Sequence, residues 1–417
     1  MALESADGTF VSAALASSDT VVDSLGFKPK ILIIYTCSRN DGSSGNADHA
    51  ILTFGVTVEG GTQFAVAYIA ENGLSSAPDA SNSSKANGVY LTDKDAADDE
   101  LGTVTLDADG FTINWSAVNA AQPTYCYHAI GGSDIEQCNL DEITVKSSAG
   151  SQAYNNTGLF QPDALLLFGC GSLSAAPVAA LHAAFFLGVA TATASDAIAM
   201  GCHAHGGVLT SINRSQDTGY IIRGPRPQGG GSFFKALHTS LDATGFTMDF
   251  EQTIANTRMY ALTIKGGSWK GMPILSPTTA SVASVTGIGF VPNGGIGFGF
   301  GRTASTAAIV NNTGNAFGSF SGTGGNAVAI AADEASDPTL TNSQMSLGSF
   351  LIGLDDSDPT GALDEDGAVT STAHDTLSID WDIAQSAAWQ YGVLRHGNAQ
   401  AGVGSGEQKH LTTTGVG

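Results

Sequence analysis

The most regular pattern along the chain is strict alternation of apolar and polar residues. Phe111, Ile113 and Trp115 are separated by Thr112 and Asn114. Phe246, Met248 and Phe250 are separated by Thr247 and Asp249, and Leu377, Ile379 and Trp381 by Ser378 and Asp380. A period of two places each apolar trio on one face of a β-strand. A second pattern is the short unbroken run of apolar or small residues, at 31–35, 164–168 and 296–300. Gly, Asn, Asp and Ser bound these segments, as turns require. Helical periodicity is scarce, and its one candidate, 177–186, reads equally as an Ala-rich buried strand.

The two patterns recur in a fixed order. Each run is preceded by a Phe and a Pro: Gly26-Phe27-Lys28-Pro29, Leu159-Phe160-Gln161-Pro162 and Gly289-Phe290-Val291-Pro292. The three Phe are 133 and 130 residues apart, and a glycine follows each by 28 residues (Gly55, Gly188, Gly318). The alternating trios begin 84, 86 and 87 residues after the Phe, and an aromatic follows each trio's start by 14 (Tyr125, Tyr260, Tyr391). That last strand ends in Gly131-Gly132, Gly266-Gly267 and Gly397-Asn398. Landmarks kept in one order at near-constant spacing indicate a threefold internal duplication. Units of this size with many short strands and frequent turn signals predict an all-β protein of three tandem, homologous, jelly-roll-like β-sandwiches. The expected domains are 1–146, 147–276 and 277–417, with joins near residues 146–150 and 275–279. Linkers this short predict that the units pack as one body.

Composition narrows the function. The chain has 417 residues, 16 Lys+Arg against 39 Asp+Glu, and a net charge of −23. Such an acidic balance excludes the basic surface that nucleic acid or anionic lipid needs. A hydrophobic fraction of 42% with only 13% charged residues suits a protein that buries surface against neighbours, so a homo-oligomer or a place in an assembly is expected. Residues 1–20 lack a basic, then apolar, leader pattern, and no run of 18 apolar residues occurs, so neither export nor membrane insertion is expected. Cys37, Cys126, Cys138, Cys170 and Cys202 are odd in number and lack CxxC spacing, which reads as reduced thiols.

Few residues offer chemistry. Cys202, His203 and His205, with His182 upstream, are the densest set of soft ligands. Zinc wants four in tetrahedral array, and no further pair at suitable spacing supplies them. The set reads as a polar loop beside a buried Cys. Acidic runs (Asp93, Asp95, Asp98, Asp99, Glu100; Asp355, Asp356, Asp358, Asp364, Glu365, Asp366) carry oxygens that calcium takes, but without EF-hand spacing. They read as solvated loops, and the second unit has Arg214, Arg223 and Arg226 in the comparable region. Gly294, Gly295, Gly297, Gly299 and Gly301 lack the following helix of a phosphate cradle and read as a strand with closely approached backbone. Asn114, Asp249 and Asp380 share a repeat position with no second acid to complete a hydrolase pair. Tyr125, Tyr127 and Trp115 suit either a sugar platform or a core. The expectation is therefore no catalytic residue, no cofactor-binding residue and no metal ligand.

The segment Gly26-Phe27-Lys28-Pro29-Lys30-Ile31-Leu32-Ile33-Ile34-Tyr35, followed by His128-Ala129-Ile130-Gly131-Gly132, resembles little-characterised virion proteins of tailed phages. These are built of repeated concanavalin-like or jelly-roll sandwiches. The third unit departs most, at Gly294, Gly295 and Gly297. The resemblance implies a non-enzymatic virion structural protein of the tail, baseplate or fibre, with other virion proteins as partners and a host surface glycan as a further one. A capsid-surface decoration or turret protein, or a carbohydrate-binding adhesin, is the alternative. Its location would be the virion, assembled in the host cytoplasm.

Overall fold

The computed structural model describes residues 2–37, 49–71, 80–92, 98–170, 178–180, 182–192, 196–205, 213–225, 233–253, 258–299, 309–310, 312–333, 340–354, 363–384 and 388–398. Among them the regular structure is β-strand joined by turns, apart from a single residue of 3-10 helix. The first unit comprises β1 (Leu3–Val11), β2 (Asp19–Val22), β3 (Pro29–Thr36), β4 (His49–Val58), β5 (Gln63–Glu71), β6 (Ala80–Lys85), β7 (Val89–Thr92), β8 (Asp98–Asp107), β9 (Gly110–Ala117) and β10 (Thr124–Gly132). A large sheet, β1-β10-β3-β4-β5-β6, faces a small one, β2-β9-β8-β7.

The second unit comprises β11 (Ile135–Thr144), β12 (Gly150–Asn155), β13 (Ala164–Cys170), β14 (Val178–Ala180), β15 (His182–Ala190), β16 (Ile198–His205), β17 (Asn213–Thr218), β18 (Tyr220–Pro225), β19 (Phe233–Asp242), β20 (Gly245–Gln252) and β21 (Arg258–Gly266). The third comprises β22 (Ser268–Leu275), β23 (Ser281–Thr286), β24 (Pro292–Gly299), β25 (Ile309–Val310), β26 (Asn312–Ser321), β27 (Asn326–Asp333), β28 (Leu340–Leu347), β29 (Leu351–Gly353), β30 (Glu365–Ala373), β31 (Thr376–Ile383) and β32 (Gln390–Gly397). Their large sheets are β11-β21-β13-β15-β16-β17 and β22-β32-β24-β26-β27-β28, and their small sheets β12-β20-β19-β18 and β23-β31-β30-β29. With β14 and β25 set aside, one strand order therefore occurs three times. The two remaining strands cross between units: β14 pairs with β6 at the edge of the first large sheet, and β25 with β17 at the edge of the second. Both edges are thereby covered, which removes a template for unwanted pairing. The helix candidate at 177–186 is strand wherever it is described.

The joins between units fall earlier than residues 146 and 276. β11 bonds to β21 and β22 to β32, so each opens the unit that follows. The chain crosses over at Gly132 (φ +89°) and Gly266 (φ +90°), where a Cβ would fall 2.2 Å from Ala2 O and 2.0 Å from Asp134 O. Only glycine tolerates that backbone. Polar composition at 146–150 and 275–279 marks turns within units instead.

Each sandwich has its own core. In the first, Leu32 and Ile34 of the large sheet meet Phe111, Ile113 and Trp115 of the small one. The corresponding trios Phe246, Met248, Phe250 and Leu377, Ile379, Trp381 lie in the second and third cores. All nine are 0–1% exposed. A further core belongs to no single unit. Ile31, Ile33 and Tyr35 join Ala164, Leu166 and Phe168, and Ile296 and Phe298, where the three large sheets pack back to back. The large sheets are thus covered on both faces, which is why β3 and β13 read as unbroken apolar runs rather than alternating ones.

The recurring glycine has a steric cause. A Cβ on Gly55 would lie 2.1 Å from Gly88 O, on Gly188 1.9 Å from Ile221 O, and on Gly318 1.8 Å from Phe350 O. At each point the two sheets of a sandwich approach backbone to backbone.

Candidate functional site

The three units meet at a common centre. Lining this centre are Ile33, Leu166 and Ile296, and beside them Ile130, Ile264 and His396. Register makes each trio equivalent: Ile130, Ile264 and His396 stand opposite Ile31, Ala164 and Gly294. The space between them is about 10 Å³, room for one water at most. No ligand chamber exists there.

One polar contact interrupts this apolar centre. His128 Nε2 and His396 Nε2 are 2.8 Å apart, both rings buried, joining the first unit to the third. Neither Nδ1 has a partner. Burial pushes His128 down to about 3, and burial together with the charge of His128 holds His396 well below the usual histidine range. The pair is therefore neutral at pH 7, one ring donating and the other accepting. The equivalents of His128 are Leu262 and Leu394, so the pair replaces what is elsewhere apolar.

Around this centre the units are tied by hydrogen bonds. Asn326 Nδ2 donates to Asp7 Oδ2 at 2.6 Å and Tyr35 OH to Asn326 O at 2.7 Å, between units one and three. Lys30 Nζ donates to Ile135 O at 2.6 Å between one and two. Lys270 pairs with Asp196 at 2.7 Å between two and three. In each case the opening strand of one unit lies on the large sheet of another.

The acidic runs do not behave as fully solvated loops. Glu100 and Glu365 are 0% exposed, turned into the first and third sandwiches. Tyr125 OH donates to Glu100, and Asn119 N–H donates to its other oxygen at 3.2 Å. Tyr391 OH and Ser276 Oγ donate to Glu365, each at 2.6 Å. Burial raises the Glu100 carboxyl above its usual range. Strand alternation in β8 and β30 aims these two acids inward. The sequence pattern concealed this because their neighbours are also acidic. In the second unit the same places hold Val145, Phe234 and Met259 in place of Ser, Glu and Tyr, by register. The second unit thus has apolar residues at all three of these places, so no member of the set is left there without the others. Asp93, Asp95, Asp355, Asp356 and Asp358 lie outside the described residues.

Cys202 is buried and accepts a hydrogen bond from Asn315 Nδ2 of the third unit at 3.1 Å. His203 and His205 follow it in β16, and His182 of β15 stands across from His205 in the strand register. The side chains of these three histidines lie outside the described residues. Among described residues no group of three or more His, Cys, Asp or Glu is placed to hold a metal. None of the five cysteines forms a disulfide. Asn114, Asp249 and Asp380 lie on the outer faces of the small sheets. Tyr125, Tyr127 and Trp115 are core residues, not a sugar platform. Arg223 is 5% exposed over the Tyr220 ring, and Arg226 lies outside the described residues.

Gly294, Gly295, Gly297 and Gly299 lie in strand β24, and Gly301 lies outside the described residues. The strand's glycines are sockets for side chains. A Cβ on Gly297 would meet Leu351 Cδ2 at 2.4 Å, and on Gly299 the Tyr391 ring at 2.5 Å.

One solvent-facing groove lies between the first and second units. Lys30, Glu59, Glu136, Gln137, Cys138, Asn139 and Phe160 line about 210 Å³. It is polar and open, with Glu59 paired to Lys28 at 3.2 Å beside it.

No protein-family model and no curated protein matches the chain. Similar solved structures include a protein assigned as AttH from Nitrosomonas europaea, 9% identical over 90% of this chain and 94% of that one, with a TM-score of 0.14. The LG1-3 region of the laminin alpha2 chain is 8% identical over 95% and 96%, with a TM-score of 0.09. OmpT, an outer membrane protein of Vibrio cholerae, is 10% identical over 92% and 100%, with a TM-score of 0.10. Likenesses this slight carry neither fold nor function over to this chain.

Proposed function

We propose that the protein is a non-enzymatic structural component of a tailed-virus particle, in the tail, baseplate or fibre, acting as a trimer-like body made from one chain. The observation that carries this reading is the shared central core, in which three sandwiches bury their large sheets against one another. The buried acids, hydroxyls and histidines are spent on holding that body together. The apolar surface implied by composition is partly covered within the chain, and partners are other virion proteins meeting its outer faces. The groove beside Glu59 favours one secondary reading, contact with a host surface glycan, since polar side chains around an open cleft suit hydroxyl recognition.

Quantitative mass spectrometry and antibody labelling of purified particles test this. The expected result is a fixed copy number with label on the tail. Label confined to the head shell would favour the decoration reading, and absence from purified particles would overturn the proposal. Glycan-array binding lost in Asn139→Ala would support the secondary reading.

A further inference from the structure

The small sheets end on β2, β12 and β23, one strand to each unit, and among the described residues each is bonded to a single neighbouring strand. An open strand edge presents unpaired N–H and C=O groups, and natural sheets guard it with charge. Two of the three edges are guarded at one repeat position. Asp19, Ser151 and Val282 stand opposite Asn114, Asp249 and Asp380. In the first unit Asp19 is itself the charge, accepting from Asn114 Nδ2 at 2.9 Å. In the second, Lys146 Nζ donates to Ser151 O at 2.9 Å, which sets an ammonium on the strand's backbone.

The third edge has no such guard. Val282 is 59% exposed. Pro277 holds the place five residues before it that Lys146 holds before Ser151, and residues 271–301 contain no charged side chain. Ser281, Val282, Ser284 and Thr286 face solvent, while Ala283 and Val285 pack against the third core. An uncharged strand with β-branched Val282, Val285 and Thr286 favours pairing.

What meets this edge must bring a free strand edge without negative charge, because the chain carries −23. A second copy brings one, its own β23. The acids nearest to it are Asp380 and Asp382 of β31. With two copies paired edge to edge, the two Asp380 are three strand spacings apart, at least about 14 Å, beyond the ~8 Å screening length at physiological salt. Antiparallel pairing about Ser284 sets solvent-facing residues of both copies on one face. Of the three edges only β23 is unguarded, so pairing of like with like closes at two chains.

We propose that β23 is a dimerisation edge, at which two copies of this chain join their third units by antiparallel pairing of β23 with β23. The two four-stranded small sheets then run into one. A six-residue ribbon is about 20 Å long and about 10 Å deep, roughly 400 Å² over both partners, against at least ~1,200 Å² in a stable interface. The dimer therefore dissociates on dilution.

Sedimentation velocity of the full chain over a concentration series tests this, with hydrogen exchange of residues 281–286 followed in the same samples. The expected result is a dimer that grows with concentration, with β23 amides slowing in step and those of β2 and β12 unchanged. Val282→Asp with Asp380→Asn copies the first unit's edge, and Pro277→Lys copies the second's. Both variants should stay monomeric where the wild type is dimeric, and Val282→Thr, uncharged and β-branched, should still dimerise. Should a variant not fold, the concentration dependence of β23 exchange in the wild type decides by itself. A monomer at every concentration, or a dimer that survives both guarded variants, overturns the proposal. So does protection of β23 that is independent of concentration, which would mean that a segment of the same chain covers this edge.

Discussion

Trp381 and Trp115 occupy the same place in two sandwiches, and each faces a glycine across a strand pair: Gly367 and Gly102. A Cβ on Gly367 would lie 2.9 Å from the Trp381 ring. The second unit has Ala236 opposite Phe250, a smaller ring with a larger neighbour. Gly367→Ala should therefore overpack the core and cost about 1–3 kcal/mol. Gly367→Ala with Trp381→Phe should cost less than the sum of the two singles, and a double-mutant cycle by urea denaturation measures that coupling. Trp115→Ala, which also severs the indole bond to Thr20 Oγ1 at 2.9 Å, should cost roughly 3–5 kcal/mol, read by the same denaturation.

At the scale of the strand, one register step decides which core a side chain joins. Tyr125, Tyr260 and Tyr391 are equally spaced from their trios, yet only Tyr125 and Tyr391 point into a sandwich. Tyr260 points to the shared centre, where it stacks on Phe64 at 4.3 Å, and Met259 takes the inward place. Side-chain alternation makes a displacement of one residue a change of face. This matters for the buried acid. Tyr391→Phe removes the phenolic donor to Glu365 Oε2 and should cost about 1–3 kcal/mol. The triple change Ser276→Val, Glu365→Phe, Tyr391→Met copies the second unit and should recover most of that loss. A triple variant less stable than Tyr391→Phe would show that the exchange is not self-contained.

For the whole molecule, the shared centre links the units, and its histidine pair sets part of the acid response. His128 is about 3 in the folded protein and near 6.5 unfolded. The unfolded chain therefore takes up more protons between these values, and stability falls as pH drops from about 6.5 toward 3. Asp7, across from His128 in register, acts in the opposite sense: burial raises it to about 6, so the stability linked to it is lost as pH rises from about 3.8 to 6. His128→Leu with His396→Ile installs the residues found at the equivalent places in the second unit. That variant should lose the histidine part of the acid limb while keeping the Asp7 part, and thermal unfolding across pH 3–8 measures the difference. A wild-type limb unchanged in the variant would remove the histidines from the account.

The sequence by itself determined the strands, the turns and the threefold recurrence, because period-two alternation and turn residues are local properties. Phe111, Ile113 and Trp115 are core residues in the fold as in the pattern. It also placed glycines at 55, 188 and 318, without saying that a facing carbonyl excludes a side chain there. What the tertiary structure alone decided is which face meets which partner. Unbroken runs such as 31–35 do not reveal that their odd members enter a core between units and their even members a core within one. Glu100 and Glu365 read as surface acids, since inward aim depends on strand register and on a Tyr distant in sequence. The joins between units escaped composition for the same reason. Hydrogen bonds, not polarity, assign β11 and β22 to the sheets they open.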